Sequence, residues 1–428
     1  MNAARGGFPG TATHPRSDGF DAEAWLRGLE PVGWSFGLER IARLLDQLGS
    51  PQRRFASIHV VGTNGKSSVT TLTAALLDRA ALATGAYLSP HRERWSERVQ
   101  ISGTEISVEH FSAAASRVAE AITTVERDLG DGDVVTQFEA ATATAFVAFA
   151  TAGVEVAVIE AGLGGRLDAT NVIPSRVTAL TSIGIEHTEY LGETAIEIAE
   201  EKLAVLQEGS VMVLGRVDPE IRALARRTAA DRDARVVSAA EPATSPALAN
   251  RAPYLAGNLA VAVAAAEQIT GPLDPGLVDA VASETRLAGR MEVSGGDPPT
   301  VSDAAHNPDG ARALAEALPA IAHGRPVVGC IAVLAGKDAE GIIAPLAPLL
   351  DALVVTEVPP GRLEGSGRAG AGSIPAAELA SLARAAGLDE IEILAHPRFA
   401  IARARELARQ RGGVALAAGS HYLLGYGS

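Results

Sequence analysis

The sequence predicts an α/β protein built on parallel sheets, and three observations support this fold class. Short apolar, β-branched runs alternate with helical patterns along most of the 428-residue chain. Two of these runs, 154–159 and 177–182, are typical of strands buried on both faces of a sheet. A second alternation of strands and helices begins after about residue 287. We therefore expect βαβ units in two successive domains.

The elements of the first domain follow from local patterns. Helical periodicity begins near residue 21 and returns at 36–48, and Ser107 is a predicted N-cap. Thr136 and Glu139 form a capping box ahead of an apolar helix at 140–150. The strands are predicted at 58–61, 84–88, 154–159, 177–182 and 211–214. The remaining helices are predicted at 67–80, 194–206, 255–269 and 275–283.

The second domain is expected to contain its own sheet. Its strands are predicted at 300–302, 327–333, 352–356, 391–394 and 414–418. Residues 1–20 are expected to form a disordered tail, because Gly, Pro, Thr and Ser dominate there without apolar periodicity. The predicted domains are 21–286 and 287–428. Residues 238–253 are predicted to be a loop, and the Gly- and Arg-rich residues 359–372 a mobile loop.

Composition excludes several classes of protein. Hydrophobic residues make up 47% and charged residues 21% of the chain, as in globular proteins. The formal net charge of −14 argues against nucleic-acid binding. The N-terminal segment lacks the apolar core of a signal peptide, and no apolar window suits a membrane span. A single cysteine, Cys330, excludes an intramolecular disulfide, so we expect a cytoplasmic protein, with a monomer as the default.

Lysine is scarce in this chain. Of the 37 basic residues, three are lysines (Lys66, Lys202 and Lys337) and the others are arginines. Because arginine serves wherever a generic positive charge suffices, each remaining lysine is a candidate for a position that requires an amine. Lys66 and Lys202 lie inside motifs described below, whereas the sequence assigns Lys337 no role.

A glycine-containing loop joins the first predicted strand to the next helix. Residues 58–69 read IHVVGTNGKSSV, in which backbone amides and a helix N-terminus can hold phosphate oxygens. Val60 replaces the first glycine of the eight-residue P-loop pattern, but its core GTNGKS remains. Lys66 would neutralise the β- and γ-phosphates, and Ser67 would reach a magnesium ion. The predicted nucleotide-binding residues here are Gly62, Thr63, Asn64, Gly65, Lys66, Ser67 and Ser68.

Two further motifs follow predicted strands. Residues 158–172 read VIEAGLGGRLDATNV, where Glu160 ends a strand and the glycines allow close backbone approach. Residues 181–192 read TSIGIEHTEYLG and place His187 just past the following strand. Open α/β sheets bind ligands beyond the carboxyl ends of their strands. Glu160 and His187 are therefore expected at one ligand-facing edge.

The loop GTNGK after an IHV strand resembles the ATP loop of the Mur ligase superfamily, in particular its folate branch of dihydrofolate synthases and folylpolyglutamate synthases. At least six motifs occur in that family's order between about residues 34 and 426. Besides the two above, they include SPHRERWSERV, VTQFEAATA, LAGRMEV, VSDAAHNPDGA and AGSHYLLG. The resemblance implies a P-loop N-terminal domain and a smaller Rossmann-like C-terminal domain of Mur ligase type, with ATP at their junction.

The resemblance also implies roles for individual residues. Two magnesium ions are expected on Ser89, Glu160, His187 and Lys202. Lys202 would be carbamylated by CO₂, because a carbamate offers an anionic oxygen where an ammonium would repel Mg²⁺. The further nucleotide contacts are expected from Asn258 at the adenine, Arg290 at the phosphates, and Asp303. The substrate contacts are expected from Phe138, Asp168 in the pterin pocket, His306, and Ser420 at the incoming glutamate. The expected catalytic set is Lys66, His187, Lys202, Arg290 and His306.

The implied reaction is ATP-dependent formation of an amide bond. The γ-phosphate would move to a substrate carboxylate, and the amine of L-glutamate would then displace phosphate from the acyl phosphate. The LDATN form with Asp168 favours an enzyme that uses both dihydropteroate and reduced folates. A monofunctional folylpolyglutamate synthase, a cell-wall ligase of Mur type and a P-loop NTPase switch are the alternatives. The last of these would not need the motifs around Arg290 and His306.

Overall fold

The computed structural model describes residues 19–29, 37–129, 133–239, 252–360 and 372–427. These residues form two separate sheets with helices packed against them. Most of the predicted N-terminal tail lies outside the described residues, as do most of the two predicted loops at 238–253 and 359–372.

The first sheet is mostly parallel. Its described strands are Ala56–Val61 (β1), Thr84–Tyr87 (β2), Val99–Ile101 (β3), Thr104–Glu105 (β4), Val156–Glu160 (β5), Val177–Leu180 (β6), Val211–Leu214 (β7) and Arg235–Ser238 (β8). They lie in the order β4-β3-β2-β5-β1-β6-β7-β8. The pairs from β2 across to β8 are parallel. The carboxyl ends of β1, β2, β5 and β6 therefore meet at one edge of the sheet.

Helices connect and cover these strands. Their bounds are Ala22–Gly28 (α1), Glu39–Gln47 (α2), Lys66–Arg79 (α3), Val108–Val125 (α4), Gln137–Thr151 (α5), Thr188–Leu191 (α6), Ala195–Leu203 (α7), Pro219–Ala230 (α8), Pro253–Thr270 (α9) and Pro275–Glu284 (α10). The predicted capping box is confirmed at α5, where Thr136 accepts from the Glu139 amide and Glu139 accepts from the Thr136 amide. Aromatic residues are few, and Phe146, Phe149 and Tyr87 are among the largest fully buried side chains.

The second sheet has a Rossmann-like arrangement. Its described strands are Glu292–Ser294 (β9), Thr300–Ser302 (β10), Val327–Ile331 (β11), Ala352–Val355 (β12), Ile391–Ile393 (β13) and Val414–Ala418 (β14). Their order is β13-β12-β11-β14-β10-β9, and only the β9–β10 pair is antiparallel among the described strands. The helices are Pro308–Ala322 (α11), Ala339–Leu346 (α12), Ala376–Ala385 (α13), Pro397–Gln410 (α14) and His421–Leu424 (α15). The α/β fold class is thus confirmed.

The sequence missed four strands that lie at or beside the sheet edges, whereas the edge strand β13 was predicted at 391–394. The strands β3, β4 and β9 have three residues or fewer, too short for an alternating pattern to be recognised, and all three pair antiparallel. Strand β8 was also missed, because it is only half-buried and reads RVVS. The missed strands therefore lie at both ends of the first sheet and at the β9 end of the second.

The two sheets are joined through α9 and α10. The helix α9 packs against α3, and its apolar residues continue into the core of the second sheet. The last of these helices ends at Glu284 and β9 begins at Glu292, so we keep residue 287 as the proposed boundary. In the residues that the structure describes, no helix is both long and apolar enough to cross a membrane.

Candidate functional site

One cavity of about 450 Å³ lies where the carboxyl ends of the two sheets face each other. The first sheet contributes the residues after β1, β2, β5 and β6, and the second contributes those after β10, β11 and β14. This is where open α/β sheets bind ligands. The predicted site residues that line the cavity are Thr63, Asn64, Gly65, Lys66, Ser67, Ser89, Phe138, Glu160, Asp168, His187, Lys202, Arg290, His306 and Ser420.

The glycine-containing loop lines this cavity, and α3 begins where the loop ends, at Lys66. The Lys66 ammonium donates to the carbonyl oxygens of Gly62 at 2.9 Å and Thr63 at 3.1 Å. Gly65 has a φ of +86°, and a Cβ there would lie 2.5 Å from the amide oxygen of Asn258, so no larger residue fits. The N-terminus of α3 therefore faces the cavity with its amide groups available to an anion.

The carboxylate of Glu160 contacts this loop. It accepts from the Ser67 hydroxyl at 2.9 Å and from the Ser89 amide at 3.0 Å. Burial raises the pKa of Glu160, although the charge of Lys66 opposes this. Carboxylate and hydroxyl oxygens are the ligands that Mg²⁺ prefers, so Glu160 and Ser67 fit a magnesium site. Within the described ranges, no three His, Cys, Asp or Glu side chains gather to hold a metal by themselves.

Lys202 lies on α7 and is 5% exposed. The glycine loop after β5 packs directly on this part of the helix: a Cβ on Gly165 would lie 2.6 Å from the carbonyl oxygen of Glu201. Burial, together with the charge of Lys66, lowers the pKa of Lys202 to about 7. A large share of this amine is therefore neutral near neutral pH, which makes it nucleophilic.

Asp168 lines the cavity, and hydrogen-bond donors occupy both oxygens of its carboxylate. One oxygen accepts from the amides of Gly162 at 2.9 Å and Leu163 at 2.8 Å. The other accepts from the amide of Thr170 at 2.9 Å and from the hydroxyl of Thr170. A carboxylate has about four acceptor positions, so these four donors fill it. The structure thus shows Asp168 holding its own loop, a role that the sequence did not predict.

The residues after β2 form a loop with charged and aromatic side chains. The guanidinium of Arg98 lies 4.2 Å from the centre of the Trp95 ring, and its Nε donates to His91. Trp95 and Arg98 both line the cavity. Arg92 on the same loop pairs with Glu292 of β9 at 3.2 Å. The loop therefore contacts the second sheet as well as the first.

A cluster of polar residues crosses the junction, and the sequence did not predict its centre. We call Glu186, His187, His306 and Lys337 the Glu186 cluster. The Glu186 carboxylate lies 3.2 Å from His306 Nε2 and 3.3 Å from His187 Nε2, and it pairs with the Lys337 ammonium. Asn307 also donates to Glu186 at 3.2 Å. Glu186 follows β6 of the first sheet and Lys337 follows β11 of the second, so this ion pair links the two domains.

Charge stabilises the ionised form of Glu186. Burial favours a raised pKa, but the charges and hydrogen bonds of His306, His187 and Lys337 outweigh it and hold the pKa of Glu186 well below its usual range.

One signal in the sequence pointed to this cluster. Lys337 is one of three lysines, and its side chain is 9% exposed, so its amine has a specific partner.

Arg290 lines the cavity from the second sheet. Its guanidinium lies 3.2 Å from Nε2 of His421, a residue next to Ser420 at the end of β14. Burial and the neighbouring charge of Arg290 hold the pKa of His421 well below its usual range, so this imidazole is neutral. Ser420 caps α15 through its hydroxyl, which accepts from the Tyr422 amide at 3.2 Å. The sequence identified Arg290 and Ser420 but missed His421.

Four predicted residues do not line the cavity. Gly62 supplies a carbonyl to Lys66, and Ser68 is buried within α3. Asn258 packs against Gly65 from α9. The carboxylate of Asp303 accepts from the Tyr254 hydroxyl and from the amides of Met291 and Ala305, across the junction between the sheets. Their contacts with a nucleotide remain predictions.

Comparisons with known proteins match both halves of the chain. The Mur ligase middle domain family matches residues 60–254, and the family described as Mur ligase, glutamate ligase domain matches residues 289–421. The dihydrofolate synthase/folylpolyglutamate synthase of Mycobacterium tuberculosis is 36% identical over 360 residues, which are 74% of this chain and 74% of that protein.

Solved structures agree with these sequence matches. A folylpolyglutamate synthase of Mycobacterium tuberculosis, complexed with ADP and AMPPCP, superposes with a TM-score of 0.82 at 32% identity and covers 91% of this chain and 94% of its own. The bifunctional folylpolyglutamate synthase/dihydrofolate synthase of Yersinia pestis, complexed with AMPPNP and Mn, gives 0.79 at 26% identity over 97% and 98% of the two chains. The chain therefore belongs to the dihydrofolate synthase/folylpolyglutamate synthase family of Mur ligases, which are ATP-dependent ligases.

Proposed function

We propose that this enzyme attaches L-glutamate to dihydropteroate and to reduced folates, with conversion of ATP to ADP and phosphate. The observation that carries the proposal is the cavity between the two sheets, which is lined by the phosphate loop, the buried Glu160 and the cationic residues of the second sheet. Relatives bound to ADP, AMPPCP, or AMPPNP with Mn support ATP and a divalent metal as cofactors.

The first chemical step is transfer of the γ-phosphoryl group to a carboxylate of the folate substrate. Lys66 would leave its own loop carbonyls to bind the β- and γ-phosphates, and Arg290 would reach them from the second sheet. A magnesium ion held by Glu160, with Ser67 or Ser89, would neutralise further phosphate charge. Orientation and charge neutralisation are the main contributions of the protein, as in other phosphoryl transfers.

The second step is attack by the amine of glutamate on the acyl phosphate. We propose that the two glutamate carboxylates are held by the wall of the second sheet, where Ser420 and His306 line the cavity. The amine nitrogen forms the new C–N bond, and the bond between the acyl carbon and the phosphate oxygen breaks. Phosphate leaves with the electron pair, and the amine loses its proton to solvent.

We further propose that Lys202 acts as a carbamate. Its amine is buried in the cavity, backed by the loop at Gly165, and its pKa of about 7 leaves a large neutral fraction to react with CO₂. The nitrogen lone pair forms a bond to the carbon of CO₂, one proton is released, and an anionic oxygen results. That oxygen would complete the divalent-metal site with His187.

A glutamate-incorporation assay tests the proposal. Dihydropteroate and tetrahydrofolate are supplied side by side with ATP, Mg²⁺ and radiolabelled glutamate, and ADP is measured in parallel. We expect labelled product from both substrates, no ADP when the folate is omitted, and no continued release of ADP when glutamate alone is omitted. Product from tetrahydrofolate alone would indicate a monofunctional folylpolyglutamate synthase. ADP formation without any folate would indicate a P-loop NTPase instead.

A further inference from the structure

A buried histidine beneath the cavity has no part in the steps above. His59 lies in the middle of β1, is 0% exposed, and has the apolar residues Ile58 and Val60 as chain neighbours. Burial lowers its pKa to about 3, so the ring is neutral. Its Nδ1 has no hydrogen-bond partner among the described residues. Burying an unsatisfied polar atom costs stability, so a histidine at this position calls for a role beyond packing.

The other ring nitrogen of His59 begins a chain of hydrogen bonds that ends at the cavity. His59 Nε2 lies 2.8 Å from the hydroxyl of Thr170, which is also fully buried. The Thr170 hydroxyl in turn bonds the carboxylate of Asp168. Three backbone amides also donate to Asp168, so this carboxylate acts only as an acceptor. Thr170 therefore donates its one hydroxyl proton to Asp168 and accepts from His59 Nε2–H.

The chain fixes the shape of the loop after β5. Asp168 holds the amides of Gly162 and Leu163, and both residues line the cavity. Gly162 is in close contact with the Phe138 ring, since a Cβ on Gly162 would lie 2.6 Å from it. A change in the orientation of the Asp168 carboxylate would therefore move the part of the wall that includes Phe138.

We propose that His59 and Thr170 are positioning residues that act through Asp168 to shape the pocket for the pterin ring of the folate substrate. The inference rests on the proposed function, because it takes the pterin ring as the group received by the wall of Asp168 and Phe138. The bonds of His59, Thr170 and Asp168 lead to the loop after β5 and its contact with Phe138, so we expect the effect to fall on the folate substrate.

Thr170→Val tests the proposal because it keeps the shape of the side chain and removes the hydroxyl. We expect the KM for dihydropteroate to rise about 10-fold, as for loss of one buried hydrogen bond, with the KM for ATP unchanged. Thr170→Ser retains the hydroxyl and is expected to stay within about twofold of the wild type. His59→Gln keeps an N–H donor and should lose less than His59→Leu.

Thr178→Val is the matched control. Thr178 is a buried threonine opposite His59 on the neighbouring strand β6, and its hydroxyl has no partner among the described residues. We expect this variant to have the wild-type KM for dihydropteroate. A rise equal to that of Thr170→Val would mean that any change in this core has the same effect, and would overturn the proposal.

A double-mutant cycle asks whether Thr170 acts through Asp168. We expect Thr170→Val to cause no further loss in an Asp168→Asn background, because both changes disrupt the same carboxylate. Additive losses, or equal increases in the KM values for ATP and dihydropteroate, would overturn the inference. Wild-type enzyme that uses neither dihydropteroate nor tetrahydrofolate would overturn the proposed function and this inference with it. Active wild type with unaffected variants would overturn the inference alone.

Discussion

The two walls of the cavity hold their polar groups in different ways. On the wall of the first sheet, Lys66 bonds its own loop, and Ser67 and Ser89 both bond Glu160. On the wall of the second sheet, Lys337 and His306 bond Glu186, which belongs to the first sheet. These bonds of Lys66 and Glu160 lie within one domain, although Asn64 of the same wall also bonds Asn307, whereas those of Lys337 and His306 depend on how the two domains meet. Substitutions on the two walls should have different kinetic signatures.

Lys202→Arg gives the largest expected effect and tests the first wall. A guanidinium does not form a carbamate and does not ligate magnesium, so we expect kcat to fall roughly 10³-fold, equivalent to several kcal/mol of charge stabilisation. ATP affinity should be retained, because the Lys66 loop is intact. Steady-state kinetics and a nucleotide-binding titration measure the two quantities.

Lys202→Ala provides the companion test. Acetate should restore part of its activity, since a small carboxylate can supply the oxygen that the carbamate would provide. Near-normal turnover of Lys202→Arg would reject the carbamate and leave Lys202 as an ordinary buried lysine of α7.

Glu186→Gln tests the second wall. The substitution keeps the size of the side chain and removes the buried charge that Lys337 and His306 contact. We expect kcat/KM for glutamate to fall about 100-fold, because breaking this buried ion pair leaves the Lys337 ammonium without its counter-charge. The KM for ATP should change little. Glu189→Gln, an exposed position three residues away, is the matched control and should behave as wild type. A similar loss for both variants would contradict the role of the cluster.

Arg290→Ala tests whether the second wall completes the nucleotide site. The guanidinium lines the cavity and contacts His421, so its loss removes one positive charge from the phosphates. We expect kcat to fall about 30-fold. The loss is limited because Lys66 still neutralises part of the phosphate charge. Thermal unfolding should be unaffected. Arg286→Ala removes an exposed arginine four residues earlier and serves as the control. Normal turnover of Arg290→Ala would make this residue structural.

The pH dependence of activation by CO₂ gives the smallest expected effect. The pKa of Lys202 is lowered to about 7, so the amine is neutral above pH 7 and protonated below it. CO₂ reacts with the neutral amine. At a fixed concentration of dissolved CO₂, the rate of activation should therefore be nearly constant above pH 8 and fall about tenfold per pH unit well below pH 7. A rate that is independent of pH between 6 and 8 would show that this amine is not the reacting group.

Much of the fold could be predicted from the sequence. The expected strands 211–214, 300–302 and 414–418 match Val211–Leu214, Thr300–Ser302 and Val414–Ala418, because buried parallel strands are continuous apolar runs. The short antiparallel strands β3 and β4 escaped detection, since they read VQI and TE and carry neither a periodic signal nor a continuous apolar run. The residues of the strand-end motifs lie together in the cavity lining, because a motif fixes its residues relative to one strand.

Two features of the site could not be predicted in the same way. The contact of Lys337 with Glu186 joins residues far apart in the chain, and it depends on how the two sheets face each other. The four donors on Asp168 include three backbone amides, which leave no mark on residue identity. The resemblance suggested a substrate contact for Asp168, whereas its bonds to the loop emerge only from the folded geometry.

The central claim is that the cavity supports an acyl phosphate formed on the folate substrate. Dihydropteroate labelled with ¹⁸O in both carboxylate oxygens tests this claim directly. One labelled oxygen should attack the γ-phosphorus and leave with phosphate when glutamate attacks the acyl carbon, while the other remains in the amide carbonyl. Mass spectrometry should detect one ¹⁸O in each phosphate released during glutamate addition. Unlabelled phosphate accompanying labelled amide product would contradict the claim.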